Sequence, residues 1–518
     1  MNMLSRRAIR LLGFLAVALF SACGGGGGGG GGGGSDTTAP SVVTTTPADT
    51  ETGVAFNAVI TVTLSEAIDP TSVAPTSLSV QQGATAIPGS VVVSGSTVTF
   101  QPEVALRSGL TYTATLDAGV SNLAGNPVGT SFSWQFTVAA YNVAFVTSVT
   151  GNANLSTWPD AAGNVGLSAG DAICQARAAA ADLPNPANFV AWLSDENDDA
   201  YCRIHGLTGK RSANCGQATL PAAAGPWVRT DGFPFAAPIT ELLDNGKVFT
   251  PVRFDELGVP VAAGSLLTDE HFTGTSRDGS LVLLQDIPAT CGNWTSNANS
   301  ADLRLAVGAT EHTTNAWTNV ANFLSGVACN RSLHLLCMQI GTGPALPPLV
   351  PNGKKAFLTS TFGTGNLSSW ADAGGNVGLA AGDTICQARA AAAGLANAGN
   401  FKAWLSDSMT DARDRITSDG PWVRLDGVPV AANKADLLDG SLFTSINVDE
   451  TGAFRSGDIV WSGTTDSGTK SLLTCNDWTD GTSGTGASGS ANDAGSGWSD
   501  DRTDACNASA RWLRCFED

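Results

Sequence analysis

At 518 residues the chain is longer than one hydrophobic core serves, and about three domains are expected. A hydrophobic fraction of 42% supplies packed interiors, while 61 glycines and only 14% charged residues favour β-rich, loop-rich extracellular modules over helical cytosolic enzymes. The formal charge of −19 argues against nucleic acid and anionic headgroups as partners.

The chain opens on a targeting signal rather than a fold. Arg6, Arg7 and Arg10 form a positive stretch, and Leu11 to Phe20 form an apolar one too short to span a bilayer as a helix. Phe20-Ser21-Ala22-Cys23 resembles a bacterial lipobox, which makes residues 1–23 a lipoprotein signal peptide and Cys23 the lipidated residue. The pair Arg6-Arg7 also fits twin-arginine export, although paired arginines are common in ordinary export signals. Gly24 stands where enteric bacteria place the aspartate that retains lipoproteins in the inner membrane, so the outer membrane or cell surface is the expected address. Residues 24–38 follow as a tether. Its run Gly24 to Gly34 resists ordering and reaches roughly 17–20 Å root-mean-square as a coil.

Residues 39–140 read as short alternating strands between turn residues, at 59–64, 89–93, 97–100, 111–116 and 131–137, a spacing that suggests an antiparallel sandwich. No cysteine falls here, so the apolar core holds the segment together unaided. The text resembles bacterial Ig-like domains of the S-layer (SbsA) type. It does so at Ala39-Pro40, Thr46-Pro47, Leu64-Ser65-Glu66-Ala67-Ile68-Asp69-Pro70, Val98-Thr99-Phe100-Gln101-Pro102, Leu106-Arg107-Ser108-Gly109-Leu110-Thr111-Tyr112, Leu123-Ala124-Gly125-Asn126 and Trp134-Gln135-Phe136-Thr137. The resemblance implies a spacer or adhesive stalk. Asp69 and Asp117 are the carboxylates open to Ca²⁺ here, with turn capping as the plainer role.

The remainder is an internal repeat. Residues 163–183 read GNVGLSAGDAICQARAAAADL and residues 375–395 read GNVGLAAGDTICQARAAAAGL. Phe189-Val190-Ala191-Trp192-Leu193-Ser194-Asp195 returns as Phe401-Lys402-Ala403-Trp404-Leu405-Ser406-Asp407, and Gly225-Pro226-Trp227-Val228-Arg229 returns as Gly420-Pro421-Trp422-Val423-Arg424. Residues 141–341 and 354–518 are thus two related domains. A Pro-rich linker, 342–353, separates them, and its prolines favour an extended, semi-rigid spacer. Asp171 and Asp383 are placed to cap the start of an Ala-rich helix, with Cys174 and Cys386 in its first turn.

Of eleven cysteines, Cys23 belongs to the signal, six fall in the first repeat and four in the second. An even number per exported domain implies disulfides. Trp192 to Trp404 keeps the separation of Cys174 to Cys386, whereas Trp227 to Trp422 is shorter, so the first repeat carries an insertion that contains Cys202 and Cys215. These two are expected to staple that insertion. The alternative, a zinc pair with His205, lacks a second ligand pair nearby. The other four cysteines of each repeat allow three connectivities, and spacing does not choose among them.

Both repeats resemble the endostatin-like branch of the C-type lectin-like fold. In the second, the resemblance is carried by Gly382-Asp383-Thr384-Ile385-Cys386-Gln387-Ala388-Arg389-Ala390, Phe401-Lys402-Ala403-Trp404-Leu405-Ser406, Val460-Trp461-Ser462-Gly463-Thr464, Thr474-Cys475-Asn476-Asp477-Trp478 and Trp512-Leu513-Arg514-Cys515-Phe516. The architecture expected is therefore multidomain, an all-β Ig-like sandwich followed by two α+β C-type lectin-like domains. The family nests its bridges, which implies Cys386–Cys515 around Cys475–Cys506 and Cys174–Cys337 around Cys291–Cys329. Endostatin's N-terminal histidine cluster and arginine clusters have no counterpart here, so neither zinc nor heparin binding carries over. The calcium-binding loop of sugar-binding relatives is also missing. Asn476-Asp477-Trp478 has its residue types in the wrong order, which leaves Ca²⁺ resting on fold analogy.

All four histidines, His205, His271, His312 and His334, lie in the first repeat, so whatever the repeats share does not use histidine. No phosphate loop, zinc-protease helix or nucleophile elbow is readable, and the chain is read as a non-enzyme. The tryptophans are core anchors in the plain reading. The polar loops before the last cysteine pair, 297–323 and 480–501, are the expected ligand-binding text, with Trp317 and an exposed Trp498 as stacking residues. The function expected is a lipid-anchored surface protein that displays binding modules for an extracellular glycan or protein. Two copies would raise avidity where the linker lets both engage. An envelope enzyme on the same scaffold and a structural spacer are the alternatives.

Overall fold

The computed structural model describes residues 36–261, 270–300, 303–320, 327–349 and 353–518. Residues 1–35, with Cys23 and the segment read as a signal peptide and with the glycine run, lie outside the described residues.

From Val42 the chain forms two facing sheets. One orders Val42–Thr46, Ile60–Leu64, Thr97–Pro102 and Gly89–Ser94; the other orders Glu51–Val54, Phe132–Val138, Thr111–Leu116, Leu78–Gln82 and Thr85–Ala86. Period-two patterning explains the arrangement: Ile60, Val62 and Leu64 are buried, while Thr61 and Thr63 between them are only partly so. Trp134, Phe136, Tyr112 and Phe100 fill the space between the sheets. The strands expected from sequence are present, with ends shifted by a residue or two. Asp69 accepts the N–H of Thr71 at 2.9 Å and Asp117 that of Gly119 at 2.6 Å, so both carboxylates serve turns.

Each repeat is built on one central strand pair. Asn142–Val146 runs parallel to Trp227–Arg229 and antiparallel to His334–Gln339; Lys354–Leu358 does the same with Trp422–Arg424 and Arg514–Glu517. A long helix packs on each sheet, Gly166–Ala180 and Gly378–Ala392. These helices begin earlier than the sequence reading placed them, with Val165 and Val377 at the N-cap positions and no side-chain cap. Asp171 and Asp383 therefore lie inside their helices, and Cys174 and Cys386 well beyond the first turn. The aspartates hold tertiary partners instead of helix ends. Asp171 accepts the Ala191 N–H at 2.9 Å and pairs with Arg203, whose other nitrogen donates to the carbonyls of Ala191 and Leu193 at 2.6 and 2.8 Å. Asp383 and Arg415 repeat this clasp around Ala403 and Leu405.

The disulfides are Cys174–Cys337, Cys291–Cys329, Cys202–Cys215, Cys386–Cys515 and Cys475–Cys506, with Cα–Cα distances of 5.3–5.7 Å in the ordinary range. These are the nested pairs the resemblance implied, plus the staple inside the insertion. Bonded to each other, Cys202 and Cys215 are not zinc ligands, and His205 Nδ1 lies 2.8 Å from the Tyr201 carbonyl.

The linker is not a free spacer over its described part. Leu346 and Leu349 pack on apolar core, Pro348 accepts a hydrogen bond from Asn57 at 3.1 Å, and Leu349 lies against Gly427. The Ig-like segment is fixed as well. Arg107 Nε donates to the Thr230 carbonyl at 3.2 Å, and Phe56 meets Tyr141 edge-on at 5.6 Å.

Candidate functional site

The two loops singled out in sequence come together where the repeats meet. Each is pinned by its tryptophan. Trp317 and Trp498 are both 0% exposed, which corrects the stacking role expected of them. Trp317 packs on Trp192 at 5.2 Å and on Phe235; Trp498 packs on Trp404 at 5.0 Å and on Phe516. Trp192 Nε1 donates to Thr318 and Trp404 Nε1 to Ser499, each the residue after the buried tryptophan. The indole surface that loop polarity seemed to offer to a ligand is spent on the core.

With their tryptophans inside, the loops present the residues just before them to each other. His312 and Asp493, each five positions ahead of its tryptophan, form an antiparallel bridge between the repeats. Thr313 N–H donates to the Asn492 carbonyl at 3.0 Å and Ala494 N–H to the Glu311 carbonyl at 3.1 Å. The two bonds join equivalent positions in reciprocal order, so a half-turn relates one loop to the other. Around them, Asn447 Nδ2 donates to Thr313 Oγ1 at 3.0 Å, Thr444 Oγ1 donates to the Phe249 carbonyl at 2.5 Å, and Phe233 stacks on Phe443 at 6.5 Å.

The junction is buried and charged. Glu311 pairs with Arg253 at 3.1 Å, both with side chains under a tenth exposed. Burial raises the Glu311 carboxyl above the usual range against the pull of Arg253, and nearby Asp493 adds to the rise. Asp493 is also raised by burial, opposed by His312 and by the N–H of Gly495. Arg514, next to it, is lowered by burial to about 9. His312 Nε2 is buried without a hydrogen-bond partner, 3.9 Å from Asp493 Oδ2.

Beside this bridge a cleft of about 250 Å³ opens between the repeats. His312, Asn315, Ala316 and Asn319 of the first loop line one wall, with Arg277; Ser490, Asp501 and Arg502 line the other. Arg502 is forked onto Asp501, with Nε at 2.7 Å. Arg277 is exposed, and its neighbour Asp278 pairs with Arg211 instead. Sequence reasoning missed Arg277 because nothing local marks it; only the docking of the repeats places it in a cleft. Of the remaining histidines, His271 is wholly buried and its imidazole is lowered by burial to about 3, hence neutral. His334 is likewise lowered by burial and contacts the Thr147 carbonyl. Among the described residues no group of three or more His, Cys, Asp or Glu is placed to hold a metal ion. Asp69 and Asp117, the carboxylates read as open to Ca²⁺ in the Ig-like segment, each accept a backbone N–H of a turn. No helix among the described residues is long and apolar enough to cross a membrane.

The bacterial Ig-like domain family matches residues 36–138. Among solved structures, the N-terminal part of the bacterial S-layer protein SbsC is 24% identical with a TM-score of 0.17, covering 23% of this chain and 27% of its own. CopC from Methylosinus trichosporium OB3b is 14% identical with a TM-score of 0.17, covering 19% of this chain and 92% of its own. An L,D-transpeptidase from Mycobacterium smegmatis is 17% identical with a TM-score of 0.15, covering 21% of this chain and 43% of its own. The chain thus spans about a quarter of the S-layer structure it matches. No curated protein matches it.

Proposed function

We propose that this chain is a binding protein of the bacterial cell surface, not an enzyme. In this reading Cys23 carries the lipid, an Ig-like stalk and two C-type lectin-like repeats form the displayed part, and the ligand is an extracellular glycan or protein. The Ig-like match at residues 36–138 supports a surface role. The observation that carries a binding role is the junction: two long polar loops, one from each repeat, are locked side by side on rigid sheets and leave a polar cleft between them. Docked in this way, the repeats engage a ligand as one unit rather than as two independent heads.

The test is an array of glycans and matrix proteins probed with the full-length mature protein, alongside mass spectrometry of its N-terminus. Saturable binding of a defined ligand class and a diacylated Cys23 are expected. A featureless array would overturn the binding role, and a start at another residue would overturn the anchor.

A further inference from the structure

The chain carries few cations for its size and a charge of −19, and most of its arginines are tied to carboxylates. Against that background the cleft between the repeats is unusual. Arg277 enters it from the first repeat with no ion pair among the described residues, and Arg502, half-exposed and paired with Asp501, enters from the second. Asp466 of the second repeat stands where Arg277 stands in the first, two residues after the shared Thr464 and Thr275, so the cation belongs to this side of the junction alone. The one carboxylate in the lining, Asp501, is engaged by Arg502, and the remaining polar side chains include the carboxamides of Asn315 and Asn319 and the hydroxyl of Ser490. At the floor lies the unbonded His312 Nε2. The space is smaller than the ~300–1,000 Å³ of pockets for drug-sized ligands, which suits one sugar ring.

We propose that this cleft binds a single acidic sugar residue of a glycan, its carboxylate held by Arg277 with Arg502 behind it and its hydroxyls met by the carboxamides and Ser490. A neutral sugar would leave Arg277 without its anion, and a polyanion such as nucleic acid would be repelled by the surrounding chain. The proposal rests on the binding role argued above and names the ligand class for it.

The experiment titrates the full-length protein with methyl glucuronide and, as a neutral control of the same shape, methyl glucoside, by calorimetry at low and high salt. Saturable binding of the glucuronide alone is expected, weakened by salt. Arg277→Ala should weaken it about tenfold or more, the range for losing a hydrogen bond to a charged group, and Asp466→Ala should leave it unchanged. Equal binding of both sugars, no binding of the glucuronide, or an unaltered affinity in Arg277→Ala would overturn the proposal. If the array finds a ligand whose binding ignores Arg277→Ala, the acidic-sugar cleft falls and the surface-binding role stands; if the array is blank as well, both fall.

Discussion

His312 and Asp493 hold equivalent places in two copies of one domain, and in the folded chain they are each other's partners in a single antiparallel bridge. Glu311, Thr313, Asn492 and Asp493 at that bridge are buried, so its chemistry is tested through stability as well as through binding.

The first expectation concerns pH. The Asp493 carboxyl is raised by burial, so the folded state binds its proton more tightly than the unfolded chain does. Its penalty is complete where both states are ionised and is relieved as pH falls through the folded pKa. Asp493→Asn should therefore be more stable than wild type at pH 7–8, with the difference shrinking toward zero by about pH 4, the unfolded carboxylate range. Urea unfolding across that range measures it, and the difference cancels groups the two proteins share. His312, Glu311 and Arg514 face the same carboxyl and set its size. A constant difference would remove Asp493 as its source.

The second concerns the loop tryptophans. Because Trp317 and Trp498 are core residues, Trp→Ala at either should cost about 3–5 kcal/mol, read as a lower Tm. A stable, folded variant defective only in ligand binding would restore the surface-stacking role.

The third concerns the clasp from helix to strand. Removing Arg203 strips a buried guanidinium from Asp171 and from two carbonyls. Arg203→Met should destabilise the first repeat by about 3 kcal/mol, the low end for a broken buried pair because Asp171 is partly exposed. Arg415→Met should do the same in the second. Asp171→Asn combined with Arg203→Met should lose less than the sum of the two single changes.

The fourth concerns the disulfides. Cys202–Cys215 closes a loop of separation 13 and Cys386–Cys515 one of 129. Replacing each pair with alanine should cost about 3 and about 5 kcal/mol on loop-closure grounds. Calorimetry should show the larger loss in the unfolding of the second repeat.

Much of this architecture was readable from the residues. Alternation at Ile60, Val62 and Leu64 gives the sandwich its strands, and cysteine parity together with family likeness gives the bridges. Helix boundaries were misjudged because Asp171 and Asp383 look like caps locally, while their partners, Arg203 and Arg415, lie far along the chain. The same holds for Trp498. A Gly- and Ser-rich neighbourhood reads as solvated, and only the fold brings Trp404 and Phe516 against it. The linker misled in another way: its prolines signal extension, but Leu346 and Leu349 among them find apolar surface to cover. The cleft was invisible because it belongs to neither repeat alone.

The reciprocal bonds of Thr313 and Ala494 bear on ancestry. A contact that maps onto itself under a half-turn is what two identical subunits make when they associate. A tandem duplication that joined such subunits end to end would leave this pattern, with the partner's effective concentration now set by a short connector instead of by expression level. Once covalently joined, the halves were free to diverge at the seam: Glu311 where the second copy has Asn492, Thr313 where it has Ala494, and an arginine on one flank where its sibling has an aspartate. Asymmetry of that kind is open to a fused pair and closed to a homodimer, in which every change is made twice.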